Sequence, residues 1–112
     1  MAQTPEKKVK DKVASILKSE GAYYFFPATH GYGRSGVPDI IACVNGHFLA
    51  IECKAGGGKL TALQIREIKH ILACNGEAVV ANESNVEMIH NLVRRLKAVS
   101  YTHLTLPTSD LV

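Results

Sequence analysis

The sequence predicts a single α/β domain of order αβββαβα, with a mixed sheet flanked by helices. Three observations carry this reading. The chain has 112 residues, enough for one compact core and no more. An Asn45-Gly46 dipeptide separates two apolar, β-branched runs, the strongest short-range hairpin signal. Apolar residues at helical spacing stand before and after those runs.

Thr4 followed by Pro5 reads as an N-cap and first helical residue, and Val9, Val13, Ile16 and Leu17 recur at helical spacing until Gly21 stops the segment. Residues 22–26 are an aromatic, apolar run of strand length, bounded by Pro27 and a polar loop over 28–36 that holds three glycines. Residues 37–44 and 47–54 form a hairpin whose two-residue turn fixes the register. Residues 55–59 are a glycine-rich connection, after which Thr61 caps a helix through Ile65, Ile68, Ile71 and Leu72, with Gly76 just past its end. Residues 77–81 are a short strand. Ser84 and Glu87 stand at capping-box spacing ahead of Met88, Ile89, Leu92, Val93 and Leu96, so a last helix ends near Lys97. From Ser100 onward Lys and Arg vanish and no helical period continues. The domain is expected over 1–99, and 100–112 as a non-native or disordered tail, because 100–108 resembles a peptide string encoded by sequencing-adaptor DNA. A genuine flexible tail is the alternative.

Thirteen Lys and Arg against ten Asp and Glu give a net charge of +3, which permits an anionic partner without requiring one. The three cysteines, Cys43, Cys53 and Cys74, are odd in number and form no C-x-x-C pair, so neither a disulfide framework nor a cysteine zinc site is written into the chain. A reducing cytoplasm is the expected compartment. No apolar run is long enough to span a membrane, and the lysine-rich start lacks a signal peptide's apolar core. No membrane partner is expected. A domain this small leaves much surface exposed, so pairing with a second copy is.

The hairpin makes a geometric prediction. With Asn45 and Gly46 as the turn, Val44 faces His47, and counting back along both strands sets Asp39 opposite Glu52 on one face of the sheet. Opposed Cβ atoms lie about 4.5–5.5 Å apart. At an effective dielectric of about 20, two like charges at roughly 5 Å repel by about 3 kcal/mol. A divalent cation between the acids would turn repulsion into coordination, and oxygen ligation suits Mg²⁺ or Mn²⁺ rather than zinc. Lys54, two residues after Glu52, returns to the same face and can partner a phosphate or a reacting water. The intervening Cys53 points to the other face as a small buried hydrophobe, while its backbone carbonyl borders the acids. The plain alternative is an exposed face with a stabilising Glu-Lys pair; acids interrupting apolar strands count against it.

Two further polar residues fall on apolar stripes. Glu6 aligns with Val9, Val13 and Leu17 rather than with Lys7, Lys8, Lys10 and Lys12, so it faces the domain body and could reach the metal; a first-turn acid favouring the helix dipole is the alternative. Gln64 aligns with Ile68 and Ile71, where it could meet a water or phosphate or simply make a helix-end hydrogen bond. Arg34, with Ser35, lies in the loop before Asp39, placed for a phosphate contact or as a solvated cation. The Gly56-Gly57-Gly58-Lys59 run lacks the spacing and trailing hydroxyl of a Walker A loop and leaves Lys59 available for phosphate. His47, His70 and His90 have no ligand spacing.

Gly36-Val37-Pro38-Asp39, then Glu52-Cys53-Lys54, then Leu60-Thr61-Ala62-Leu63-Gln64, with Glu6 in an opening helix, resembles the VRR-NUC branch of the PD-(D/E)XK nucleases over about residues 5–99. The resemblance implies a restriction-endonuclease-like core and metal-dependent hydrolysis of DNA phosphodiester bonds. It makes Asp39, Glu52 and the Cys53 carbonyl metal ligands, with Glu6 binding or orienting metal through water. Lys54 would activate water and stabilise charge on the phosphate, and Gln64 would assist in the water network. The expected protein is a homodimeric endonuclease for structured or branched DNA, in a bacterial or phage-infected cell. The rivals are a non-catalytic DNA-binding or assembly module and a restriction-type endonuclease.

Overall fold

The computed structural model describes residues 3–28 and 33–98. The expected tail and loop residues 29–32 lie outside them. Seven elements follow the expected order: α1 (Pro5–Ser19), β1 (Tyr23–Phe25), β2 (Ile40–Val44), β3 (His47–Cys53), α2 (Ala62–Ala73), β4 (Glu77–Ala81) and α3 (Met88–Ala98). The sheet runs β1-β2-β3-β4, antiparallel in its first two pairings and parallel in the last. It is therefore mixed, with α2 as the crossover that a parallel pair needs.

Alternation along the strands sorts the two faces. Ile40, Ala42 and Val44 of β2 and Leu49, Ile51 and Cys53 of β3 join Val9, Val13, Ile16 and Leu17 of α1 and Ile89, Val93 and Leu96 of α3 in one buried cluster. The opposite face receives α2, which packs against β4 and reaches Glu52 through Gln64. Thr4 caps α1 as expected, its hydroxyl oxygen accepting from the Lys7 amide at 3.1 Å. No helix among the described residues is long and apolar enough to cross a membrane.

The hairpin turn has left-handed backbone at both positions, φ 51° at Asn45 and 83° at Gly46, as the tightest reversal requires. Pairing then runs from Val44 with His47 to Ile40 with Ile51. β2 starts at Ile40 rather than at residue 37, because Pro38 has no N–H to give a ladder and the Asp39 side chain takes over: its Oδ2 accepts the Cys53 amide at 2.8 Å. β3 ends one residue early, at Cys53, although the Lys54 amide still donates to the Ala81 carbonyl at 2.9 Å.

Two helix ends depart from the sequence reading. The Ser84–Glu87 capping box does not form. Asn82 Oδ1 instead accepts from the amides of Ser84 and Asn85, Asn85 Oδ1 accepts from the Asn82 amide, and Glu87 pairs with Lys12 at 3.1 Å. Asparagine amides compete well for such tight reversals. At the end of α2 the left-handed residue is Asn75, φ 67°, not Gly76; the Gly76 amide closes the turn on Ile71 carbonyl at 2.9 Å. A side chain on Gly76 would meet Ile71 Cγ2 at 2.8 Å, so glycine is there for space.

Gly36 sets the path into Asp39. Its φ is +78°, and a Cβ there would lie 2.6 Å from the backbone carbon of Leu63, so the loop touches α2 where only glycine fits. Gly36→Ala is expected to cost about 1–3 kcal/mol in urea unfolding. Gly57→Ala, with open space around it and no left-handed backbone, should stay within about 1 kcal/mol of the parent. Equal stability of the two variants would remove the close approach as a constraint.

Candidate active site

One step beyond the last pairing of β2 with β3, Asp39 and Glu52 stand side by side, and the first turn of α1 adds Glu6. Each offers a carboxylate oxygen, and the three atoms lie within 4.8 Å of one another. Glu52 is only 3% exposed, whereas Asp39 is half-buried and Glu6 faces solvent. Lys54 Nζ sits 4.0 Å from Glu52 Oε2, with 16% of its side chain exposed. The hairpin and α1 thus bring Glu6 and Asp39, distant in sequence, beside the Glu52–Lys54 pair on β3.

Gln64 does both things left open by its position. Its Oε1 accepts from the Thr61 amide at 2.9 Å while the Thr61 hydroxyl oxygen accepts from the Gln64 amide at 3.2 Å, a capping box that opens α2. The other end of the same amide, Nε2, donates to Glu52 Oε2 at 3.3 Å. Helix start and acid are held by one side chain. Cys53 turns its side chain into the core, where burial first and the charges of Asp39 and Glu52 next push its thiol up to about 12. A neutral thiol on the far face is no metal ligand, which leaves only the backbone of Cys53 for that expectation.

Arg34 is placed otherwise than expected. Its Nε and Nη2 donate to Glu67 Oε1 and Oε2 at 2.9 and 3.0 Å, a two-pronged pair with a carboxylate that is 6% exposed on the inner side of α2. The pairing holds the Glu67 carboxyl below its usual range and raises the guanidinium. The arginine fork is filled from within the fold and ties the loop before Asp39 to α2. Sequence reasoning passed over Glu67, although it lies on the same helical face as Gln64 and Ile71. Ser35 and Lys59 are exposed and do not join the acids. His90 bonds Glu20 at 2.9 Å, and His70 approaches Arg34 at 3.5 Å. A cleft of about 660 Å³ lies between α2 and the hairpin turn, but its one acid is Glu67, an ionised carboxylate already paired with Arg34, so the chemistry follows the acid cluster.

The acid cluster is under electrostatic load. Burial first, then the hydrogen bond and charge of Asp39, push the Glu52 carboxyl up to about 8, with Lys54 pulling the other way. The pair therefore keeps a proton near neutrality unless another cation replaces it. Three carboxylates, one of them buried and all hard oxygen donors, fit a divalent ion of the magnesium or manganese class. In the folded protein Glu52 holds its proton to about pH 8, while the unfolded chain releases it near 4.5. The native state binds more protons between those values, so its stability falls as pH rises through that window. Urea unfolding in EDTA should show this decline in the parent and a flatter profile in Glu52→Gln. Added divalent cation should restore stability at the alkaline end. A flat parent profile would contradict the shared proton.

Known proteins share this arrangement of sequence. Residues 6–90 match the profile of the archaeal Holliday junction resolvase family, Hjc. A phage protein named "Putative nuclease p44", from Acyrthosiphon pisum secondary endosymbiont phage 1, is 35% identical over 81 residues, spanning 71% of this chain and 84% of that protein. The mixed four-strand sheet with flanking helices agrees with the restriction-endonuclease-like fold expected from the sequence. The matched span runs from the first acid through all four strands and past every residue of the cluster. The chain belongs to the archaeal Holliday junction resolvase family of nucleases.

Proposed function

We propose that this protein is an endonuclease that uses Glu6, Asp39, Glu52 and Lys54 to hydrolyse phosphodiester bonds in branched DNA, with Mg²⁺ or Mn²⁺ bound at the acids. The observation that carries the reading is the convergence of three carboxylate oxygens within 4.8 Å beside an ammonium group 4.0 Å from one of them. Membership in a junction-resolvase family supports branched DNA as the substrate. The motifs G-V-P-D, E-C-K and L-T-A-L-Q support a likeness to the VRR-NUC branch in this reading.

Each side chain has work that its position allows. Asp39, Glu52 and Glu6 would hold the ion, with the Cys53 carbonyl as a further oxygen. A bound divalent ion supplies Lewis acidity and a more acidic water. Lys54, mostly sheltered from solvent, presents its charge beside the acids and stabilises the negative charge that builds on the phosphate oxygens. Gln64 holds Glu52 in place through its Nε2. Neither a cysteine nor a serine nucleophile is required.

The protein is proposed to act as a homodimer in the cytoplasm of a bacterial or phage-infected cell. Exposed Tyr23, Phe25 and Phe48 across β1 and β3, and a domain too small to bury its surface well, support pairing. The free thiols Cys43, Cys53 and Cys74 suit a reducing compartment.

A labelled four-way junction and a matched linear duplex, incubated with Mg²⁺ or Mn²⁺, should show preferential cleavage of the junction. Asp39→Asn, Glu52→Gln and Lys54→Met should each lose about 10²-fold or more in cleavage rate while unfolding cooperatively. Parent-like cutting by all three would move the reaction elsewhere. DNA binding without any cutting by the parent would favour a non-catalytic assembly module.

A further inference from the structure

We propose that Lys10, held in place by the ring of Phe26, binds a backbone phosphate of the DNA strand as it enters the acid cluster. The inference rests on the nuclease reading and adds to it the solvent-side wall of the substrate path.

Four observations converge on this side chain. A cleft of about 460 Å³ opens between the first turns of α1 and the chain after β1; Glu6 and Asp39 border it together with Lys10 and Phe26. Lys10 Nζ stands 4.9 Å from the centroid of the Phe26 ring, within cation–π range. That ring is itself set edge-on against Tyr24, at 6.1 Å and 78°, and is 45% exposed. Among the described residues no carboxylate lies within 4.0 Å of Lys10, although Glu6 is one turn away on the same helix. Two other α1 lysines are engaged, Lys7 with Asp11 and Lys12 with Glu87, each at 3.1 Å.

Electrostatics explains why such a cation belongs here. Three clustered acids repel a polyanion approaching the site, and the one lysine among them, Lys54, is mostly sheltered on the sheet side. A strand entering from solvent needs a cation on the open side of the acids. Lys10 is there, half-buried, tethered by an aromatic face rather than neutralised by an acid. Its charge therefore remains available to an anion. Lys10 stands four residues after Glu6, so the helical period brings it to the same face of α1 as that acid; the expectation from sequence grouped it with the other lysines of the helix.

The test is DNA binding with Ca²⁺ replacing Mg²⁺, followed by anisotropy of a fluorescein-labelled junction over a range of salt concentrations. Lys10→Gln is expected to weaken binding roughly three- to tenfold and to lower the slope of log affinity against log salt by about one. Lys10→Arg should retain most of the affinity. Phe26→Leu keeps an apolar side chain but removes the ring, and should cost about two- to fivefold. Lys8→Gln, which removes an exposed charge elsewhere on α1, should change affinity by less than about twofold. Equal losses in Lys8→Gln and Lys10→Gln would reduce the effect to bulk charge and overturn the subsite, as would parent-like binding by Lys10→Gln. In both cases a parent that still cuts junctions keeps the nuclease reading intact. A parent that binds no junction at all sinks both.

Discussion

Like charge forced together at the open end of a hairpin governs this molecule. Asp39 and Glu52 are brought side by side by strand register, and Glu52 is almost wholly buried. Nothing in the hydrophobic core requires a carboxylate there. The same sheet position filled by an apolar residue would relieve both the repulsion and the desolvation of a buried acid. Retaining the pair makes sense only if the stress is relieved by a proton, by Lys54 and Gln64, or by a bound cation. Burial and Asp39 push the Glu52 carboxyl upward, and Lys54 offsets that push only in part.

The surrounding structure is arranged to keep the acids from moving apart. Asp39 cannot swing away without surrendering the Cys53 amide, which it accepts where a ladder carbonyl would otherwise serve. Glu52 is restrained by Gln64, and Gln64 by the capping box at the start of α2. The loop leading to Asp39 is pressed on α2 at Gly36 and tied to it again by Arg34 and Glu67. Loop, strand end and helix start therefore form one closed circuit around Glu52. Stiffness of this kind matters for binding an ion, because small divalent cations tolerate little variation in ligand geometry.

Much of this was legible in the chain, for a physical reason. Asn45-Gly46 admits one tight reversal, and once the turn is set, period-2 alternation assigns every strand residue to a face; Asp39 opposite Glu52 and Lys54 beside it follow from counting. The helical stripe through Val9, Val13 and Leu17 brought Glu6 to the acids, but as a solvent-exposed residue of the first turn rather than one facing the domain body as expected. What could not be counted were contacts between segments with no shared register. Arg34 and Glu67 are 33 residues apart, and their meeting depends on how a loop drapes over a helix. Lys10 and Phe26 meet only because β1 ends beside α1. The cap before α3 failed for a different reason: Ser84–Glu87 and Asn82–Asn85 offer rival local hydrogen bonds three residues apart, and propensity alone ranks them too closely.

The three acids are not held equally, and the difference bears on how the site works. Glu52 stands on β3, braced by strands on both sides, and Asp39, just ahead of β2, is tied to β3 by the Cys53 amide. Glu6 is the second residue of α1, in a turn whose amides have few partners within the helix and which relies on the Thr4 cap and the exposed Lys7–Asp11 pair. Local opening of a helix end costs little compared with opening a central strand. In the proposed reading Asp39 and Glu52 form a fixed half-site, while Glu6 would arrive on an element able to adjust by a fraction of a turn as ion and strand settle. Lys10 rides on that same element one turn further along, so any shift that brings Glu6 toward the ion carries the proposed phosphate contact with it.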